Sequence, residues 1–118
     1  MPQNYQKIQV IRVASVTVPL STTGSVTILQ VPPDVVRGRI TSFTFEVKPT
    51  VNPITITVAD RDFAIPSWDV LISGSYSTPQ TFSVDVDIRP NMEIKAIITN
   101  NSTIDVSVTI GIVACYER

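Results

Sequence analysis

Apolar and polar residues alternate with a period of two along much of the chain. Phe43, Phe45 and Val47 fall on one side of a run, and Thr44, Glu46 and Lys48 on the other. Ile54, Ile56 and Val58 oppose Thr55 and Thr57 in the same way, and Phe82, Val84, Val86 and Ile88 oppose Ser83, Asp85 and Asp87. Successive side chains of an extended chain point to opposite faces, so such runs make strands with one buried and one solvated face. Turn signals, mostly Pro, Asn and Ser clusters, separate them. The pattern predicts eight strands, over 8–18, 26–31, 39–48, 54–59, 70–73, 81–88, 93–99 and 104–116. No ten-residue segment has helical spacing. The first run changes phase, from Ile8 and Val10 to Ile11 and Val13, then Val16 and Val18. That predicts a β-bulge, or a strand covered on both faces.

Eight short antiparallel strands predict an all-β fold, an antiparallel two-sheet β-sandwich of the eight-stranded jelly-roll kind. An immunoglobulin-like sandwich is second, because a lone Cys and a Trp in a loop give no Cys–Trp–Cys pattern. The length of 118 residues suits one core. Residues 1–7 are expected as an N-terminal arm and 8–118 as a single β-sandwich domain. The expected core is Phe43, Phe45, Val47, Ile56, Val58, Phe82, Val84, Val86, Val106, Val108 and Ile110.

Composition agrees: 43% of residues are hydrophobic, mostly Val and Ile, and 16% are charged. That balance suits a folded domain, and β-branched residues suit pleated strands. Net charge is −1, with no basic run and no aromatic-plus-basic cluster, which argues against a nucleic-acid groove. The charge is uneven, however, +3 over residues 1–59 and −4 over 60–118. Either strands of the two halves interleave and mix the charges, the reading favoured here, or a basic face meets an acidic face on a neighbouring subunit. The start, "MPQNYQKIQVIRVASV", lacks the continuous apolar run of a signal peptide, and no stretch is long and apolar enough to span a bilayer. No membrane partner is expected.

Histidine is absent, which removes Ser-His-Asp and Cys-His nucleophiles and any His-based metal cage. Cys115 is the only cysteine; it excludes an internal disulfide, and its apolar run predicts a small buried residue. Carboxylates are the remaining candidates. The stretch "VADRDFAIPSWD" sets Asp60 and Asp62 around Arg61, with Asp69 after Trp68. These could work as acid and base or hold calcium, but Asp bonds its own backbone well in turns, and no regular spacing of oxygen ligands is present. "ADRDF" therefore reads as a hairpin turn or strand edge. Asp85 and Asp87 share the solvated face of their run, where surface carboxylates are ordinary. No catalytic, cofactor-binding or metal residue is assigned, and no cofactor is expected. Asn100 to Thr103 contain two overlapping glycosylation sequons, but Asn-rich turns are common. Trp68 and Tyr76 lie in a long irregular stretch, residues 65–79, where they could stack on a sugar ring, anchor a neighbour, or equally be buried against the end of the sandwich.

The order "VPPDVVRGRITSFTFEV" followed by "DIRPNMEIKAIITNNSTIDVSVTIGIV" is similar in rhythm to small jelly-roll proteins of virus particles. These are capsid, decoration, turret and spike-base proteins of tailed phages and archaeal viruses. The resemblance spans residues 8–116: a Pro-containing turn at Val31 to Asp34 leads into a strand, and the Pro90-Asn91 turn precedes a strand ending in Asn. A long apolar strand then closes the sheet. The resemblance implies a structural, non-enzymatic role in the virion, a homo-oligomer (trimer or pentamer) and other capsid proteins as partners. It carries over no catalytic residue. A chain of 118 residues is small for a shell, which favours decoration or vertex attachment. The alternative function is a carbohydrate-binding module using Trp68 and Tyr76, and an enzyme stands third.

Overall fold

Strands form where the period-two runs stand. The computed structural model describes residues 6–49, 54–61, 69–76 and 79–118. Its strands are β1 (Lys7–Val18), β2 (Thr22–Gln30), β3 (Arg37–Lys48), β4 (Ile54–Arg61), β5 (Asp69–Tyr76), β6 (Gln80–Ile88), β7 (Glu93–Asn100) and β8 (Val106–Glu117). The second and fifth outgrow their expected bounds, so the "STTG" turn and the "GSY" loop are partly strand. In both, polar and small residues hide a ladder that pairing with β7 or β4 supplies.

Two antiparallel sheets of four result, in the orders β1-β8-β3-β6 and β2-β7-β4-β5. Only β4 and β5 follow each other within one sheet; every other connection crosses between sheets, the connectivity of a jelly roll. β8 lies between β1 and β3, so strands from the two halves of the chain interleave. Ion pairs cross the halves accordingly, as in Arg37–Glu117 at 2.7 Å, Arg39–Asp85 at 2.9 Å and Arg118–Asp34 at 3.0 Å.

The core fills the space between the sheets. Ile40, Phe43, Phe45, Val47, Val106, Val108, Ile110 and Ile112 face inward from the first sheet, against Ile54, Ile56, Val58, Ile94, Ala96 and Ile98 from the second. Phe82, Val84 and Val86 depart from expectation and are only half-buried. They alternate correctly, but β6 is an edge strand with a neighbour on one side alone.

Register shifts lie elsewhere than the sequence suggests, in the pairings of β2, β3 and β5. β1 and β8 pair from Lys7↔Glu117 to Val18↔Val106 without a shift. Thr41 of β3 is the extra residue: Ile40 faces Ala114, Ser42 faces Val113, and the Thr41 hydroxyl donates to the Val113 carbonyl at 3.2 Å. That insertion is why Ile40 and Phe43, three residues apart, both point inward. The phase change in β1 has another cause, since Ile11 and Val13 are exposed on the outer face.

Gly38 shows how closely β3 and β8 approach. A Cβ there would stand 2.5 Å from Tyr116 Cβ and 2.7 Å from the Cys115 carbonyl oxygen. Neither atom is the far end of a flexible side chain, so Gly38→Ala is expected to destabilise by about 1–3 kcal/mol. Urea denaturation checks it, and a midpoint unchanged from wild type would contradict that packing.

Candidate functional site

Asp60 of the "ADRDF" stretch, expected in a hairpin turn or at a strand edge, stands within a strand. β4 continues through Asp60 and Arg61, and Asp60 is 3% exposed. Inward-facing positions of β4 are Ile54, Ile56 and Val58, so Asp60 extends that row to the end of the core. Arg89, from the β6–β7 turn, approaches it at 3.6 Å, and Arg61 on the other face pairs with Glu93 at 3.4 Å. The strand hydrogen-bonds Asp60 opposite Ile94 and opposite Asp69, and this pairing, invisible in the local sequence, overrides the turn preference of Asp. Asp62 and Trp68 lie outside the described residues, and of Asp69 only the backbone position is described.

Asp85 and Asp87 stand on the outer face of β6, as the alternation predicts. Arg39 of β3 reaches both, with Nε 2.9 Å from Asp85 and Nη2 3.9 Å from Asp87. A guanidinium occupies the position a cation would take. Among the described residues no three potential ligands gather into a metal site. A chelator is expected to leave the melting temperature unchanged, because a metal bound only by the native state must raise it. A clear drop on chelation would revive a calcium site.

Tyr76 is no sugar platform. It is 7% exposed and sits in an aromatic cluster with Phe45 at 4.9 Å and Phe82 at 5.3 Å between ring centroids. Its hydroxyl folds back over Gly74, where a Cβ would come within 2.7 Å. The expectation of a Trp68–Tyr76 surface therefore loses its second member. Cys115, expected buried, is exposed: it falls on the outer face of β8 while Ala114 and Tyr116 face inward.

The Asn-rich turn is structural. Asn100 is fully buried, and its Nδ2 donates to the carbonyls of Val18 at 3.0 Å, Pro19 at 3.3 Å and Ile104 at 2.9 Å. Its Oδ1 accepts from the Ser102 amide at 2.9 Å and lies 2.6 Å from the Ser102 hydroxyl. The amide nitrogen a glycan would need is thus committed to three carbonyls; Asn101 of the second sequon is exposed.

What the sequence reading missed is the outer face of the first sheet. Ile11 and Val13 are 61% and 67% exposed there. With Val113 and Gly111 of β8 and Thr44 of β3 they line a shallow depression. On either side the same face is polar, with Ser15 and Thr109 hydroxyls 2.9 Å apart, and Thr17 and Ser107 hydroxyls 3.3 Å apart. A signal was present: the odd positions of β1 read Lys, Gln, Ile, Val, Ser, Thr, with two apolar residues inside a polar row. At the Lys7 end, an open groove runs past Lys7, Arg37, Arg39, Arg89 and Tyr116. Its three arginines pair with Glu117, Asp85 and Asp60.

No protein-family model matches the chain, and no curated protein matches it. Solved structures do. PirA is 20% identical, with a TM-score of 0.56 over 90% of this chain and 93% of its own. A subunit of the Bacillus endospore appendages, described as disulfide-linked pili, is 12% identical, with a TM-score of 0.54 over 97% of this chain and 90% of its own. A chain of the cyanophage Pam1 capsid is 17% identical, with a TM-score of 0.54 over 98% of this chain and 89% of its own. At these identities the likeness is one of fold. The fold is thus one that a phage capsid and a spore pilus are built from.

Proposed function

We propose that this protein is a non-enzymatic structural subunit of a virion, a capsid, decoration or vertex component that assembles as a homo-oligomer and contacts other capsid proteins. One observation carries the reading: Ile11 and Val13 stand exposed on the outer sheet face, flanked along β1 by polar residues. Two adjacent β-branched residues there cost solubility unless a partner covers them. Among the described residues, Asp60 pairs with Arg89, Asp85 pairs with Arg39, and Tyr76 packs on Phe45 and Phe82. The fold likeness to the cyanophage capsid chain supports the same role.

Sedimentation velocity over a range of concentrations tests it. The protein is expected to run as a closed oligomer, a trimer or pentamer. Deleting residues 1–5 is expected to weaken assembly and leave the sandwich folded, because Gln6 and Lys7 already pair with Arg118 and Glu117. A monomer at every concentration would remove the reading.

A further inference from the structure

Among the described residues, the strand that carries Ile11 and Val13 is also a sheet edge. β1 is twelve residues long, borders β8 alone, and contains no Pro. The other edge strands are β6, β2 and β5, and the pairing of each includes a register shift. Bulges blunt edges against unwanted pairing, and β1 has none.

The direction of its backbone groups follows from one pair. Gln6 and Arg118 exchange both backbone hydrogen bonds, at 3.0 and 3.1 Å. Antiparallel ladders alternate, so even-numbered residues of β1 bond β8. Lys7, Gln9, Ile11, Val13, Ser15 and Thr17 then turn their N–H and C=O groups away from it. The Arg12 guanidinium, 3.3 Å from the Ile11 carbonyl oxygen, sits where that orientation requires.

We propose that β1 pairs antiparallel with β1 of a second copy about a two-fold axis at Val13, joining two first sheets into one. The proposal rests on the assembly reading above and names the two-fold contact that joins a copy in one trimer or pentamer to a copy in the next. Pairing outward groups with outward groups requires odd residues opposite odd ones, which leaves few registers. With Val13 opposite its own copy, Ile11 meets Ser15 and Gln9 meets Thr17. On the inner face Arg12 meets Ala14, Val10 meets Val16 and Ile8 meets Val18. The half-buried Ile8, Ala14 and Val16 gain cover. Lys7 arrives opposite Pro19 of the copy, and the β1–β8 register continues Pro19 onto Asp105. Among the described residues, Lys7 has no ion-pair partner and the exposed Asp105 accepts only the Leu20 amide, at 3.0 Å. The two would lie two strand spacings apart, about 10 Å between backbones, on the same outer face, within the combined reach of a lysine and an aspartate. Symmetry makes two such pairs. Centring on Arg12 would instead set two guanidiniums opposite each other, and centring on Ile11 takes Lys7 away from Asp105. The acidic edge β6 is a poorer partner: it would oppose Ile11 and Val13 with Asp85 and Asp87, which Arg39 already engages.

Cysteine cross-linking in full-length Cys115→Ser protein tests the register. Hydrogen-bonded antiparallel partners have Cα atoms about 5.5 Å apart, within disulfide range. Val13→Cys is expected to form a covalent dimer on mild oxidation, while Ile11→Cys and Ser15→Cys alone stay monomeric on a non-reducing gel. Val13→Pro removes an amide that β8 does not use, so the fold is expected to survive and the two-fold association to be lost. Failure of Val13→Cys to link while wild type still assembles would overturn the edge pairing and leave the assembly reading standing. So would linkage of Val13→Cys to a Ser83→Cys copy in preference to itself, which would identify β6 as the partner. A wild type that is monomeric at all concentrations would overturn both.

Discussion

Phe45→Ala is expected to destabilise the protein by about 3–5 kcal/mol, the usual cost of emptying a fully buried aromatic site. Phe45 is fully buried, and its ring lies 6.5 Å from Phe43, 4.9 Å from Tyr76 and 5.6 Å from Phe82. Phe43 and Phe45 belong to β3 and Phe82 to β6, all in the first sheet, whereas Tyr76 belongs to β5 in the second. Truncation therefore opens a cavity and also breaks the aromatic contact that ties the two sheets together at this end. The neighbours are held by their strands and cannot collapse into the space. In urea the midpoint should fall with the slope unchanged, because the surface exposed on unfolding is nearly the same. A change within about 0.5 kcal/mol, the range of an ordinary surface substitution, would mean that Phe45 does not face the core.

Asn100→Ala is expected to cost about 2–4 kcal/mol, since a buried group stripped of its partner carries its full desolvation penalty. One side chain here satisfies the carbonyls of Val18, Pro19 and Ile104 and orders Ser102. It thereby fastens the turn after β1 to the turn after β7, two segments more than 80 residues apart in sequence. Alanine takes a donor away from all three carbonyls, of which Ile104 keeps the Ser102 hydroxyl at 2.9 Å. Asn100→Asp should be worse than Ala, because it replaces the donor with a second acceptor facing three carbonyl oxygens. Serine 102 offers an internal control: Ser102→Ala removes one arm of the network and should cost less than either. Parity between Asn100→Ala and wild type in urea would show that the turns are held by other means.

The alternation of Phe43, Phe45 and Val47, of Ile54, Ile56 and Val58, and of Val106, Val108 and Ile110 determined the fold class and most of the core. Period two is a local property: each residue's face depends only on its neighbours in the chain. Pro and Asn at the turns, such as Pro90 and Asn91, likewise act locally, and Asn91 does adopt the left-handed conformation, with φ 63°. Eight strands and two sheets could therefore be read from the chain itself.

Only the tertiary structure decided which strands became edges, and that altered several readings together. Phe82, Val84 and Val86 alternate as well as any core run, yet lie half-exposed because β6 has one neighbour. Asp60 read as a hairpin turn or a strand edge, and pairing with β7 and β5 decided for the strand. Tyr76 left the surface because β5 brought it over Phe45 from the opposite sheet. Ile11 and Val13, whose phase suggested a bulge, proved to be exposed apolar residues on an unbroken edge. In each case the deciding contact joins residues far apart in sequence. Burial depends on what the fold sets opposite a face, and the alternation along a strand specifies the face but not its neighbour.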